Sequence, residues 1–156
     1  MKFKLVVVGK IKEEYYRAAI AEYVKRLSRF VKTEIVEVDE CFFNGTPNAQ
    51  QINKIMQTEG EAILSKCEGY VFALDIGGKM LDSQQLSEQI FDLTQQYSTF
   101  TFVIGGSNGL ADIVKQKANQ RISFGKITLP HQLCRVVLCE QLYRACCIQN
   151  NVPYHK

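Results

Sequence analysis

A nearly continuous apolar strand that runs into two glycines is the feature that most constrains this chain. The strand spans Phe100 to Ile104 and is followed at once by Gly105 and Gly106. A strand that is apolar on both faces is typical of the centre of a parallel sheet. A second apolar strand, predicted over 122–128, leads through Pro130 and His131 into an apolar helix. The two loops should meet at the carboxyl ends of the strands, where open α/β sheets bind ligands.

The rest of the chain alternates between strand and helix patterns. Strands are predicted over 3–8, 33–38, 70–74, 100–104 and 122–128. Helices are predicted over 13–30, 48–66, 84–97, 110–118 and 131–149, with Ser83 as the N-cap of the third. Residues 39–47 and 75–79 are predicted as loops. This order predicts an α/β fold with a mostly parallel sheet flanked by helices.

The bulk composition fits one domain over residues 1–156. The six cysteines form no Cys-x-x-Cys pair and no zinc spacing, so we expect free thiols in a reducing cytoplasm and no metal. No stretch approaches the ~20 apolar residues of a membrane span, so we expect no membrane association.

Positive charge gathers in the part that holds the two loops. Residues 106–156 carry 7 basic and 2 acidic side chains, whereas residues 41–105 carry 3 and 7. Such asymmetry favours a polyanionic partner, although a scattered set of solvated lysines would look the same.

The helix predicted over 131–149 is apolar almost all round, unlike a surface helix. A single sheet covers only one side of a helix. We therefore predict a homodimer formed through this C-terminal helix.

Four segments together resemble a known family. They are Phe102–Leu110, Leu129–Gln132, Glu140–Arg144 and the terminal Tyr154-His155. In order and spacing they resemble the ribosomal RNA large-subunit methyltransferase H family, which belongs to the SPOUT class of knotted methyltransferases. The resemblance implies a C-terminal trefoil knot and S-adenosylmethionine as methyl donor. It also implies a pseudouridine of 23S ribosomal RNA as substrate, methylated at N3. Since the sequence is short and shows no RNA-recognition motif, we expect the enzyme to recognise a folded site on the assembled ribosome.

The resemblance also assigns a cofactor site. Its residues would be Leu74, Gly105, Phe124, Gly125, Lys126, Ile127, Thr128 and Leu129. From the sequence alone, Gly105 fits a tight turn as well as a ligand contact, and Leu74 is only a core leucine.

Three side chains are candidates for catalysis. The resemblance places Tyr154 and His155 in the active site, reaching in from the partner subunit, whereas a terminal Tyr-His-Lys is otherwise a frayed tail. His155 would accept the N3 proton, and Tyr154 would position the base. Arg135 lacks an obvious local partner and either faces a phosphate or is paired within the fold. His131 could contact substrate or only finish the helix end.

Two other functions compete with methyl transfer. One is a nucleotide-binding enzyme of another class, but the Gly-Gly-Ser-Asn-Gly run lacks the Gly-Lys-Ser/Thr ending of a P-loop and the Gly-x-Gly-x-x-Gly pattern. The other is a non-catalytic factor of the same fold that binds the ribosome or its RNA. Binding of S-adenosylmethionine, and its preference over ATP, discriminates among the three.

Overall fold

A computed structural model describes all residues from 1 to 156. Five strands form one sheet in the order β2-β1-β4-β3-β5, and every neighbouring pair is parallel. The strands are β1 (Lys2–Val8), β2 (Lys32–Val38), β3 (Tyr70–Met80), β4 (Thr99–Ile104) and β5 (Gln120–Ser123). The predicted α/β fold with a mostly parallel sheet is therefore confirmed.

Helices cover both faces of the sheet. They are α1 (Glu14–Leu27), α2 (Ala49–Leu64), α3 (Ser83–Asp92), α4 (Asp112–Lys117) and α5 (His131–Gln149), with a short 3₁₀ turn at Leu93–Gln95. Successive residues of a strand point to opposite faces. Accordingly, Phe3 and Leu5 of β1 join a 19-residue core with α1, α3 and α5, and Val6 joins a 10-residue core with α2 and α4.

Two strands differ from their predicted extent by more than one residue. β3 continues to Met80, so the loop predicted over 75–79 is wrong, and Ile122 pairs with both Leu74 and Lys79 across a bulge. β5 ends at Ser123 rather than at residue 128. The strand stops there because the Ser123 side chain bonds the backbone of Gly125, which has a φ of 121°.

The predicted end residues of α3 are also wrong. Asp82, not Ser83, caps the helix: its side chain accepts a hydrogen bond from the Gln85 amide at 2.8 Å, and the Gln85 side chain bonds back. This reciprocal capping box leaves no need for a cap at Ser83. The helix ends at Asp92 rather than at residue 97, and the chain continues as the 3₁₀ turn.

Helix α5 is covered on several sides within one chain. It lies against β4 and between α1 and α3. Leu138, Leu142 and Ala145 are fully buried there. The neighbouring helices α1 and α3 therefore bury part of the apolar α5 surface that a second subunit was expected to bury. The homodimer stays a prediction, as does the trefoil knot. No helix has the length and apolarity needed to cross a membrane.

Candidate functional site

A cleft of about 250 Å³ lies at the carboxyl ends of β4 and β5, beside the bulge of β3. Seven of the eight residues expected to bind the cofactor line it. They are Leu74, Gly105, Phe124, Gly125, Ile127, Thr128 and Leu129. Lys126 does not line the cleft, although it lies within the same segment. The expected meeting of the two loops at this sheet edge is what the structure shows.

The glycine loop on one side of the cleft is held by its own backbone. A side chain at Gly105 would place its Cβ 2.6 Å from the backbone of Gly109. The Gly109 amide donates to the Gly106 carbonyl at 3.0 Å, and the two residues form an isolated bridge. Gly105 is thus required by the turn itself, and it also lines the cleft.

The segment from Phe124 to Leu129 on the other side is held mainly by one serine. Ser123 Oγ accepts from the Gly125 amide at 3.1 Å and donates to the Gly125 carbonyl at 2.9 Å. The amides of Ile127, Thr128 and Leu129 make no hydrogen bond within the chain. These amide donors lie beside apolar side chains, an arrangement that suits a planar ring with hydrogen-bond acceptors along its edge.

The mouth of the cleft is apolar and open. Ile127 is 82% exposed and Ile76 is 59% exposed, and the ring of Phe124 is partly exposed beside them. Large apolar side chains grouped at one exposed place mark a surface that another molecule covers.

Asp75 is a cleft residue that the sequence analysis missed, because it was assigned to a loop. Its carboxylate lies 3.2 Å from Arg121 Nη1 and 3.5 Å from Lys115 Nζ. The pairs tie the bulge of β3 to α4 and β5. The sequence signal that could have identified Asp75 is its position as a charged residue directly after an apolar strand.

Two glutamates anchor the loop that follows β2 behind the glycine loop. Glu40 accepts a hydrogen bond from the Ser107 hydroxyl at 3.1 Å. Glu59 is buried and accepts from the Cys41 amide at 3.0 Å. Burial raises the pKa of Glu59. No group of three or more His, Cys, Asp and Glu side chains is placed to hold a metal ion.

The first turn of α5 contributes two further cleft residues, His131 and Cys134. Burial, and next the charge of Arg135, lowers the pKa of His131, which favours a neutral imidazole. Burial raises the pKa of the Cys134 thiol to about 11, so it stays protonated near neutral pH. The sequence alone leaves two roles open for His131, contact with the substrate or completion of the helix end.

Arg135 does not line this cleft. Its side chain is 2% exposed, and Nη2 donates to the carbonyls of Val8 and Gly9, the latter at 3.0 Å. Glu37 lies 3.5 Å from Nη1. Of the two alternatives left open above, the structure favours pairing within the fold, and a direct part in catalysis stays a prediction.

Tyr154 and His155 lie away from the cleft of their own chain. The Tyr154 hydroxyl donates to Glu140 at 3.1 Å, and the Arg144 guanidinium lies 4.6 Å from the centre of its ring. Burial and the bond to Glu140 raise the pKa of Tyr154. Glu140 follows His131 by nine residues of α5, which is ~13 Å along the helix axis. One chain therefore does not bring Tyr154 and the cleft together.

Comparison with known proteins matches the chain over nearly its whole length. A family model described as predicted SPOUT methyltransferase matches residues 1–155. A protein of Streptococcus uberis named ribosomal RNA large subunit methyltransferase H is 51% identical, with all of both chains covered. A protein of the same name from Limosilactobacillus fermentum is 48% identical, again with full coverage.

Two solved structures share the fold. A probable methylase family protein from Haemophilus influenzae superposes with a TM-score of 0.56 at 13% identity, covering 99% of this chain and 70% of the other. The tRNA (m1G37) methyltransferase of Aquifex aeolicus gives 0.52 at 15% identity, covering 92% and 70%. Similarity at such low identity concerns the arrangement of strands and helices alone.

Proposed function

The chain belongs to the SPOUT methyltransferase family, and we propose that it methylates large-subunit ribosomal RNA with S-adenosylmethionine as donor. The target we propose is N3 of a pseudouridine in 23S RNA, on the assembled ribosome in the cytoplasm. The observation that carries this proposal is full-length similarity of about half the residues to proteins named for that RNA.

The residues of the cleft fit the proposed cofactor. Leu74 and Leu129 offer apolar surface for an adenine ring, and the unpaired amides of residues 127–129 offer donors to its edge. The cofactor would supply an activated methyl group on a sulfonium. The exposed side chains of Ile76 and Ile127 would exclude water once substrate or a second subunit covers the mouth.

The protein itself must mainly align the methyl donor with the N3 acceptor and remove the proton from N3. Holding donor and acceptor in line can contribute ~7–11 kcal/mol. We assign to His155 the role of accepting the N3 proton and to Tyr154 the role of orienting the nucleobase. Arg135 would act as a positioning residue, because it holds the end of β1 against α5 through the carbonyls of Val8 and Gly9.

Both terminal residues need a second copy of the chain to reach a cleft. We therefore propose a homodimer in which the tail of one subunit completes the cleft of the other. Two observations support it: Tyr154 packs on Glu140 in the middle of its own α5, away from the cleft, and the cleft mouth presents exposed apolar side chains.

The first experiment is calorimetric titration of the purified protein with S-adenosylmethionine, with ATP as the control ligand. Thr128→Trp fills the cleft from an exposed position, and Gln116→Trp adds the same bulk on the exposed face of α4. We expect the first variant to lose at least about tenfold in affinity, which corresponds to a loss of about 1.4 kcal/mol of binding free energy. Gln116→Trp should bind like the parent protein.

Binding should then be followed by transfer of labelled methyl groups to large ribosomal subunits. A chain that binds S-adenosylmethionine and ribosomes but transfers no label would support the alternative, a non-catalytic factor of the same fold. Binding of ATP in preference to S-adenosylmethionine would contradict both.

A further inference from the structure

A second cleft, larger than the first, opens between α1 and the sheet. Its volume is about 530 Å³, within the ~300–1,000 Å³ of small-molecule sites. Leu5 and Val7 of β1 form its floor, and Ile20 and Val24 of α1 face Ile35 of β2 across it. Aliphatic side chains thus form most of its surface.

The inner end of this cleft carries a buried guanidinium with two unused donors. Arg135 lines the cleft and is 2% exposed. Its Nη2 bonds backbone carbonyls, but Nε and Nη1 are buried without a hydrogen-bond partner. The Glu37 carboxylate lies 3.5 Å from Nη1 and makes no hydrogen bond with it. Buried donors without partners are rare in native proteins, and each needs an explanation.

The charges around the cleft favour an anion. Lys10, Arg17 and Arg135 line the cleft, and Glu37 is the one carboxylate among the lining residues. Because Arg17 is paired with Glu14, Lys10 and Arg135 against Glu37 leave one net positive charge in the lining. Glu37 would repel a doubly charged phosphate more than a singly charged carboxylate. A carboxylate accepts readily from a guanidinium, and the aliphatic walls suit an apolar body.

We propose that the second cleft binds a small aliphatic carboxylic acid, whose carboxylate accepts a hydrogen bond from one of the two unpaired donors of the Arg135 guanidinium. Its hydrocarbon body lies between α1 and the floor formed by Leu5 and Val7. The site is separate from the cofactor cleft and does not depend on the function proposed above.

Calorimetric titration of the full-length protein with octanoate tests the proposal, with octan-1-ol and acetate as matched probes. Octanoate should bind once per chain. The alcohol keeps the hydrocarbon body without the charge, and acetate keeps the charge without the body. Each should bind at least tenfold more weakly. Equal affinity for octanoate and octan-1-ol, or no octanoate binding, would overturn the proposal.

A pair of substitutions on α1 locates the site. Ala21 is an exposed lining residue, so Ala21→Phe would obstruct the cleft from its mouth. Ala18→Phe makes the same change at an exposed position on that helix outside the cleft. We expect Ala21→Phe to weaken octanoate binding at least tenfold and Ala18→Phe to leave it unchanged. Equal effects of the two would contradict the assigned site.

Methyl NMR of the unsubstituted protein gives a check that does not depend on a variant folding. Octanoate should shift the methyl signals of Ile20, Val24 and Ile35, and leave those of Ile127 unchanged. Shifts confined to Ile127 and Leu129 would place the acid in the cofactor cleft instead and overturn the proposal.

Discussion

The two ends of helix α5 are built for different partners. At its first turn, His131 and Cys134 line the cleft of their own chain, and Arg135 is bonded to the end of β1. At its far end, Tyr154 folds back onto Glu140, and His155 is exposed. Glu140 follows His131 by nine residues of the helix, so the contact of the tail lies ~13 Å along the axis from the first turn.

Because of this separation, a single chain contains both the cofactor cleft and the terminal Tyr154 and His155 but does not bring them together. The cleft end is fixed by hydrogen bonds and burial inside the fold. The tail end packs on its own helix through Glu140, Tyr143 and Arg144, and His155 is exposed, so a second chain can bind it. Predictions about the two ends should therefore separate cofactor binding from turnover.

The largest expected effect is that of His155→Ala on turnover. A positioned general base contributes ~10²–10⁴ in rate, so methyl transfer at saturating RNA should fall at least ~100-fold. The affinity for S-adenosylmethionine, measured by calorimetry, should stay the same because the substitution leaves every residue that lines the cofactor cleft unchanged. His131→Gln is the matched change at the cleft end of α5. It should lower the affinity for S-adenosylmethionine by a larger factor than it lowers the rate of methyl transfer at saturating substrates. Near-normal turnover in His155→Ala would make the assigned base wrong.

Mixing two inactive variants tests whether the ends meet between subunits. Thr128→Trp obstructs the cleft and His155→Ala removes the proposed base from the tail. At a concentration of S-adenosylmethionine that saturates the parent protein but not Thr128→Trp, each variant alone should show little activity. After dissociation and re-association at equal amounts, half of the dimers contain one of each, and one of their two sites is intact. Activity should recover to about a quarter of that of the parent protein, as follows from two-fold symmetry. No recovery would mean that each tail acts on its own chain.

The fold was largely predictable from the sequence because its signals are local. Apolar runs such as Phe100–Ile104 and helical spacing of apolar residues predicted every strand and helix, and the errors lie at their ends. Those ends depend on side-chain contacts such as the Asp82–Gln85 capping box. The extension of β3 to Met80 depends on Gly78, where a Cβ would lie 2.7 Å from the backbone of Arg121.

The site was predictable only in part. The assignment of residues 124–129 to the site came from the family resemblance. Periodicity could not identify them, because an irregular segment with unpaired amides has the same sequence pattern as any other loop. Arg135 could not be placed from the sequence, since its partners are carbonyls of Val8 and Gly9 more than a hundred residues away. The register of such contacts is set by packing, not by neighbours along the chain.

A smaller effect is expected from Tyr154→Phe. The change removes the hydrogen bond to Glu140 and keeps the ring between Tyr143 and Arg144. The free energy of unfolding should fall by about 0.5–1.5 kcal/mol, measured by urea denaturation. Tyr97→Phe is the control, because the Tyr97 ring packs on Tyr70 and its hydroxyl makes no hydrogen bond within the chain. Equal losses in the two variants would show that the bond to Glu140 does not hold the tail.

The smallest effect concerns the pH dependence that His131 gives to stability. Burial, followed by the charge of Arg135, lowers its pKa in the folded protein, whereas in the unfolded chain the imidazole titrates near ~6.5. The unfolded chain therefore takes up the proton at a higher pH than the folded one. Stability from this residue is complete above that value and declines as the pH falls from about 7 towards 5.

His131→Gln removes that dependence while keeping a polar side chain at the first turn of α5. Urea midpoints measured at intervals from about pH 8 to 5 should fall less steeply for the variant than for the parent protein. The carboxylates contribute equally to both profiles, so the difference isolates His131. Superimposable profiles would mean that the imidazole is as well solvated in the fold as in the unfolded chain. The cleft end of α5 would then be as open as the tail end, and the contrast between the two ends would be lost.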